Sequence, residues 1–115
     1  MKALERLSET PGVDAWALVG EDGFVLEAYR KPEVQVGDLF GGLATSVLAS
    51  ARAVAEELDR GPLEEVMVEY PEGPVLLVPL KGGAVLMVLL DQVASLGRVR
   101  LALRKVLPEV MEGLP

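Results

Sequence analysis

One stretch, residues 38–60, restricts the folds open to this chain more than any other. Asp38 can cap a first helical turn, because its carboxylate accepts an orphan backbone N–H there. Gly61-Pro62 stops the run: glycine permits a left-handed C-cap, and proline cannot continue a helix. Between these signals Leu39, Leu43, Val47, Ala51, Val54 and Leu58 recur every three or four residues, an apolar stripe at helical period. A second stripe, Gly42, Ser46, Ala49 or Ser50, and Ala53, carries only small side chains. Small residues let another backbone approach closely. The spacing therefore predicts a long helix with two buried faces, the apolar one turned to its own domain and the small one to a partner chain. The competing reading is that alanine-rich positions are simply good helix formers.

The 115 residues suit one domain, 1–115, able to bury roughly 65% of its unfolded surface without covalent staples. Cysteine and histidine are absent, which removes disulfides, thiolate chemistry, the usual zinc sites and an imidazole base. A cytoplasmic location fits a chain that needs no disulfide. There is no Asn and only Gln35 and Gln92 represent Gln, a depletion of thermolabile side chains that suits a thermophilic source. The net charge of −7 argues against nucleic acid or an anionic membrane as the main partner. Met1–Arg6 is charged and amphipathic, unlike a secretory leader. Residues 75–90 are very apolar, but Pro79, Lys81 and Gly82-Gly83 split them into halves too short to span a bilayer, so no membrane insertion is expected.

Taken in order, the chain predicts eight elements. Leu4 and Leu7 mark a short helix near residues 2–9, stopped by Thr10-Pro11-Gly12. Val13–Val19 reads as a strand with Trp16 and Leu18 on one face. Asp22-Gly23 signals a two-residue hairpin turn, both residues tolerating positive φ, and Phe24–Tyr29 is the returning strand. After the central helix, Glu64–Tyr70 alternates Val66, Val68 and Tyr70 against Glu65, Met67 and Glu69. Val75–Leu80 and Ala84–Leu90 follow, joined by Lys81-Gly82-Gly83. The last has no polar face, as befits a strand covered on both sides. Asp91 and Ser95 are capping candidates for a final helix with Leu96, Val99, Leu103, Val106, Val110 and Leu114 on one face. Pro108 is expected to kink or end it near residue 107.

The order is αββαβββα, an α+β form of α/β architecture. A hairpin and a three-stranded meander must share one sheet to make a core. The wholly apolar fifth strand needs two neighbours, which gives a five-stranded antiparallel sheet of order 2-1-5-4-3. The central helix covers one face and the two terminal helices the other. Strand 3 is left as a bare edge that invites pairing. Beside the small-residue face of the central helix, that edge points to a two-fold homodimer, with strand 3 pairing with its mate. Gly42, Ser46, Ala49, Ser50, Ala53, Val66 and Val68 form the expected seam.

Pro11–Val25 with its Gly12 and Asp22-Gly23, Pro79-Leu80 before the glycine turn, and Leu96-Gly97 with Arg100 together resemble the roadblock/LC7 family, which has a profilin-like fold. The resemblance covers nearly the whole chain. It implies a dimer with a continuous sheet through the interface, with dimer contacts on residues 39–58 and 64–70. It also implies a non-enzymatic regulator or scaffold. Several bacterial members look like partners of a small Ras-like GTPase, including dimers that raise its GTP hydrolysis. No catalytic residue and no cofactor carries over.

The chemistry of individual residues agrees. Gly37 and Gly42 have the separation of a phosphate loop, but Leu43-Ala44 stand where Lys and Ser/Thr are needed. The carboxylates Glu56, Glu57, Asp59, Glu64 and Glu65 read as a solvated face rather than a metal site. Ser46 and Ser50 have no base to activate them. Arg52 and Arg60 are candidate partner contacts, since an arginine supplied in trans stabilises phosphoryl-transfer charge. Their bland roles are a solvated charge and a favourable end-of-helix cation. Arg98, Arg100, Arg104 and Lys105 cluster on the last helix, for charge balance or for a partner. Two alternatives stand beside the GTPase regulator. One is a small-molecule sensory module with Trp16, Phe24, Phe40 and Tyr70 lining a pocket between sheet and helix. The other is a purely structural subunit of a larger complex.

Overall fold

Alternation of apolar and polar residues places five strands, and helical periodicity three helices, in a computed structural model that describes residues 1–38 and 40–114. In chain order they are α1 (Lys2–Ser8), β1 (Val13–Val19), β2 (Val25–Arg30), α2 (Phe40–Leu58), β3 (Val66–Val68), β4 (Val75–Pro79), β5 (Val85–Leu90) and α3 (Leu96–Glu112). The strands form one antiparallel sheet of order β2-β1-β5-β4-β3, as the apolar character of β5 predicts. Leu39, the first member of the expected apolar stripe, lies outside the described residues, as does Pro115.

Because successive strand residues point to opposite faces, β1 feeds two separate cores. Trp16 and Leu18 join Leu76, Leu86 and Val88 in a layer closed by α1 and α3. Ala17 and Val19 join Leu77, Val85 and Met87 in a smaller layer closed by Ala44 and Leu48 of α2. All six residues of the expected apolar face of α3 are buried: Leu96, Val99, Leu103, Val106, Val110 and Leu114. Trp16 belongs to the larger layer, its indole N–H donating to Ser8 Oγ at 2.8 Å while its ring stacks on Tyr29 at 6.4 Å.

Several local expectations are corrected. The β1–β2 connection is wider than a two-residue turn. Gly23 N–H donates to Gly20 O, and Gly20 N–H to Phe24 O, both at 2.9 Å. Gly23 alone takes a positive φ, of 87°, since the Asp22 carboxylate accepts from Phe24 N–H at 3.0 Å in an Asx arrangement that leaves its own φ negative. α2 ends two residues early, at Leu58, with Asp59 in the left-handed region at φ 51° before Gly61 at φ 86°. β3 has three residues rather than the seven of Glu64–Tyr70, and Tyr70 is exposed. α3 neither ends nor breaks near residue 107 but runs past Pro108 to Glu112. Proline there removes one backbone N–H bond, and burial of Val110 on the turn that follows offsets the loss.

Candidate functional site

α2 rests on the sheet along a narrow line. Gly41, Ala44 and Leu48 are its buried residues. The contact is close because Gly41 has no side chain: a Cβ there would lie 2.2 Å from Gly23 O at the hairpin tip. This seating reverses part of the sequence-based expectation. Leu43, Val47, Val54 and Leu58 do not face the domain's own core; they are 63%, 40%, 56% and 59% exposed. Gly42, Ser46, Ala49, Ser50 and Ala53 are exposed as well. At 100° per residue the two stripes lie side by side on the helix, and together they make a broad outward face interrupted by Glu57.

The face makes few polar demands. Ser46 Oγ donates to Gly42 O at 3.0 Å and Thr45 Oγ1 to the same carbonyl at 2.9 Å. Back-bonded hydroxyls of this kind need no external partner and present their carbon side outward. At the nearby sheet edge, Val66 and Val68 are half-buried and pair with Leu77 and Val75, which sets them on the α2 side of the sheet. Val66 packs against the α2-side layer. Apolar area therefore runs from α2 towards the one free side of β3.

The charged candidates fall elsewhere. Arg52 is half-buried and Arg60 exposed, and neither has a carboxylate within 4.0 Å among the described residues. Glu65 does not join Glu64 in a metal site but accepts from Arg100 at 2.5 Å, across from β3 to α3. That hydrogen bond holds the Arg100 guanidinium pKa above its usual value, against the opposing effect of burial. Among the described residues no three Asp or Glu side chains converge in a way that could hold a metal ion, and no helix is long and apolar enough to cross a membrane.

A separate cavity of about 280 Å³ opens between the sheet and the start of α2. Phe40 lines it and Trp16 borders it from the sheet, with its indole on the opposite face, whereas Phe24 and Tyr70, 72% and 58% exposed, line no part of it. Sequence reasoning missed its alanine floor and Arg30.

The family model for the Roadblock/LC7 domain matches residues 2–90. The chain belongs to the Roadblock/LC7 family. An uncharacterised protein of Methanocaldococcus jannaschii, MJ0310, is 32% identical over 104 residues, covering 90% of each chain. Myxococcus xanthus MglB superposes with a TM-score of 0.84 at 20% identity, covering 96% of this chain and 90% of that one. Myxococcus xanthus MglC superposes at 0.65 with 26% identity, covering 98% and 97%. The family match stops at residue 90, whereas the MglB superposition, with 96% of the chain, necessarily takes in part of α3.

Proposed function

We propose that this Roadblock/LC7 domain is a non-enzymatic homodimeric regulator or scaffold that binds a small Ras-like GTPase. The observation that carries the reading is the outward face of α2. A nineteen-residue helix that buries only Gly41, Ala44 and Leu48 while leaving four large aliphatic residues 40–63% exposed is incomplete as a lone chain. The edge of β3 beside it has unpaired backbone groups. A two-fold axis near β3 satisfies both at once: strand pairs with strand, and the central helices meet across Gly42, Ser46, Ala49, Ser50 and Ala53, flanked by Val66 and Val68. The family and the similarity to MglB and MglC support a regulatory role over a catalytic one.

In this reading the dimer docks on the switch regions of the GTPase and favours one nucleotide conformation by differential affinity. Arg52 and Arg60, without intramolecular carboxylate partners, are the contacts to test. Light scattering should give the mass of two chains. Titration with a small Ras-like GTPase from the same cytosol, loaded with GDP and with a non-hydrolysable GTP analogue, should give affinities that differ between the states. A monomer at micromolar concentration, with no binding in either state, overturns the reading.

A further inference from the structure

The 280 Å³ cavity has features of a ligand site rather than a packing flaw. In the β1–β2 register Ala17 pairs with Ala28 and Ala15 with Arg30, so these four share the face that α2 only partly covers. The alanines form a low floor, with Phe40 and Val36 above it. Ala15 is 3% exposed yet belongs to neither packed apolar layer.

Arg30 supplies the polar end. Among the described residues its guanidinium reaches two carbonyl oxygens, Pro32 O at 3.5 Å and Val34 O at 3.2 Å. Both bonds use Nη1, so the Nε–Nη2 edge of the fork makes no bond, and no carboxylate lies within 4.0 Å among the described residues. Arg52, Arg60, Arg98 and Arg104 also lack a carboxylate partner among the described residues, but Arg30 is the arginine that lines this cavity. That edge matches a carboxylate in bidentate geometry. An apolar hollow with one convergent charged group is the usual composition of a small-ligand site, and the volume sits near the roughly 300 Å³ lower bound for such sites.

We propose that the cavity binds a small amphipathic monocarboxylate, its hydrocarbon chain over Ala15, Ala17 and Ala28 and its carboxylate on the Nε–Nη2 edge of Arg30. This function is separate from partner docking and does not depend on it. The test is calorimetric titration of the intact protein with octanoate, octanol and octylammonium, which share a chain length and differ in the head. Octanoate should bind saturably and most tightly. Arg30→Gln should weaken octanoate about tenfold or more and leave octanol unchanged, and Arg30→Lys, which keeps the charge but loses the two-pronged fork, should recover only part of the preference. Ala28→Leu, on an exposed edge-strand position that tolerates the change, should fill the rim and abolish binding of both. Circular dichroism checks that each variant is folded. No saturable octanoate binding to the wild type, or binding unchanged by Arg30→Gln and Ala28→Leu, overturns the proposal. Equal affinity for octanoate and octanol overturns the role of Arg30.

Discussion

Gly41 and Gly42 are adjacent in the first turns of α2, and the structure predicts opposite outcomes when each becomes alanine. On helix propensity alone both changes should stabilise, by about 0.8–1 kcal/mol in a helix interior. At Gly42 nothing of its own chain lies within 4 Å of the added methyl, so the single domain should keep the gain, whereas in the proposed dimer the same methyl sits at the seam. At Gly41 the methyl would sit 2.2 Å from Gly23 O and 3.5 Å from Val19 Cγ1. The obstacle is backbone, in a turn held by the Gly23-to-Gly20 and Gly20-to-Phe24 bonds, so no flexible side chain can give way. The helix must lift until that contact reaches at least 3.0 Å, which loosens Ala44 and Leu48 on the same face. Overpacking of this kind costs about 1–3 kcal/mol. Because the obstacle is fixed backbone, the cost belongs in the upper part of that range, about 2–3 kcal/mol; less the propensity gain, the expected net loss for Gly41→Ala is about 1–2 kcal/mol, with Tm falling by roughly 4–8 °C per kcal/mol for a domain near this size. Urea unfolding by circular dichroism measures it, at one fixed protein concentration because dimer stability depends on concentration. Gly97→Ala, with nothing within 4 Å and far from the proposed seam, is the control for propensity. If Gly41→Ala proves as stable as the wild type, the close seating of α2 on the hairpin is wrong.

The other expected outcomes are simpler. Pro108→Ala restores a backbone N–H inside α3 and should stabilise by about 1–3 kcal/mol in thermal melts; an unchanged Tm would mean the helix gains nothing at that turn. Ser46→Arg or Ala49→Arg places a charge where the two central helices are proposed to meet, and should convert a dimer to a monomer by light scattering with the fold intact. A variant that stays dimeric would move the seam away from the small stripe. Arg52→Ala and Arg60→Ala, both outside the seam, should leave the dimer alone and weaken GTPase binding if either side chain contacts the partner.

The strand order and the faces of α3 were legible because both depend on local spacing. A strand with no polar position, β5, can only be central, and the other four then have few places to go. The apolar positions of α3 fall on one arc, and all six are buried. The β1–β2 turn was misjudged for a physical reason: Asp-Gly permits a tight turn, but the Asp22 carboxylate can also bond Phe24 N–H, and that alternative won. The length of β3 was overread because alternation marks residues able to form a strand, while pairing needs a neighbour, and β4 pairs with only three of them. The cavity was read from aromatic residues, whereas small residues create it: an empty volume has no sequence signal until the strands carrying Ala15, Ala17 and Ala28 are set side by side.

By itself, then, the amino-acid order determines the elements, the order of strands in the sheet, and the presence of two arcs on α2 fit to be covered. Periodicity is a property of the chain and reports which residues share a side. It does not report what lies opposite. Only the tertiary structure decided that α2 settles on Gly41, Ala44 and Leu48, because Gly41 admits the hairpin carbonyl closely enough to seat the helix there. That one approach turns Leu43, Val47, Val54 and Leu58 away from the core. It leaves four large aliphatic residues of the helix outside, a consequence of rigid-body packing that no local pattern encodes.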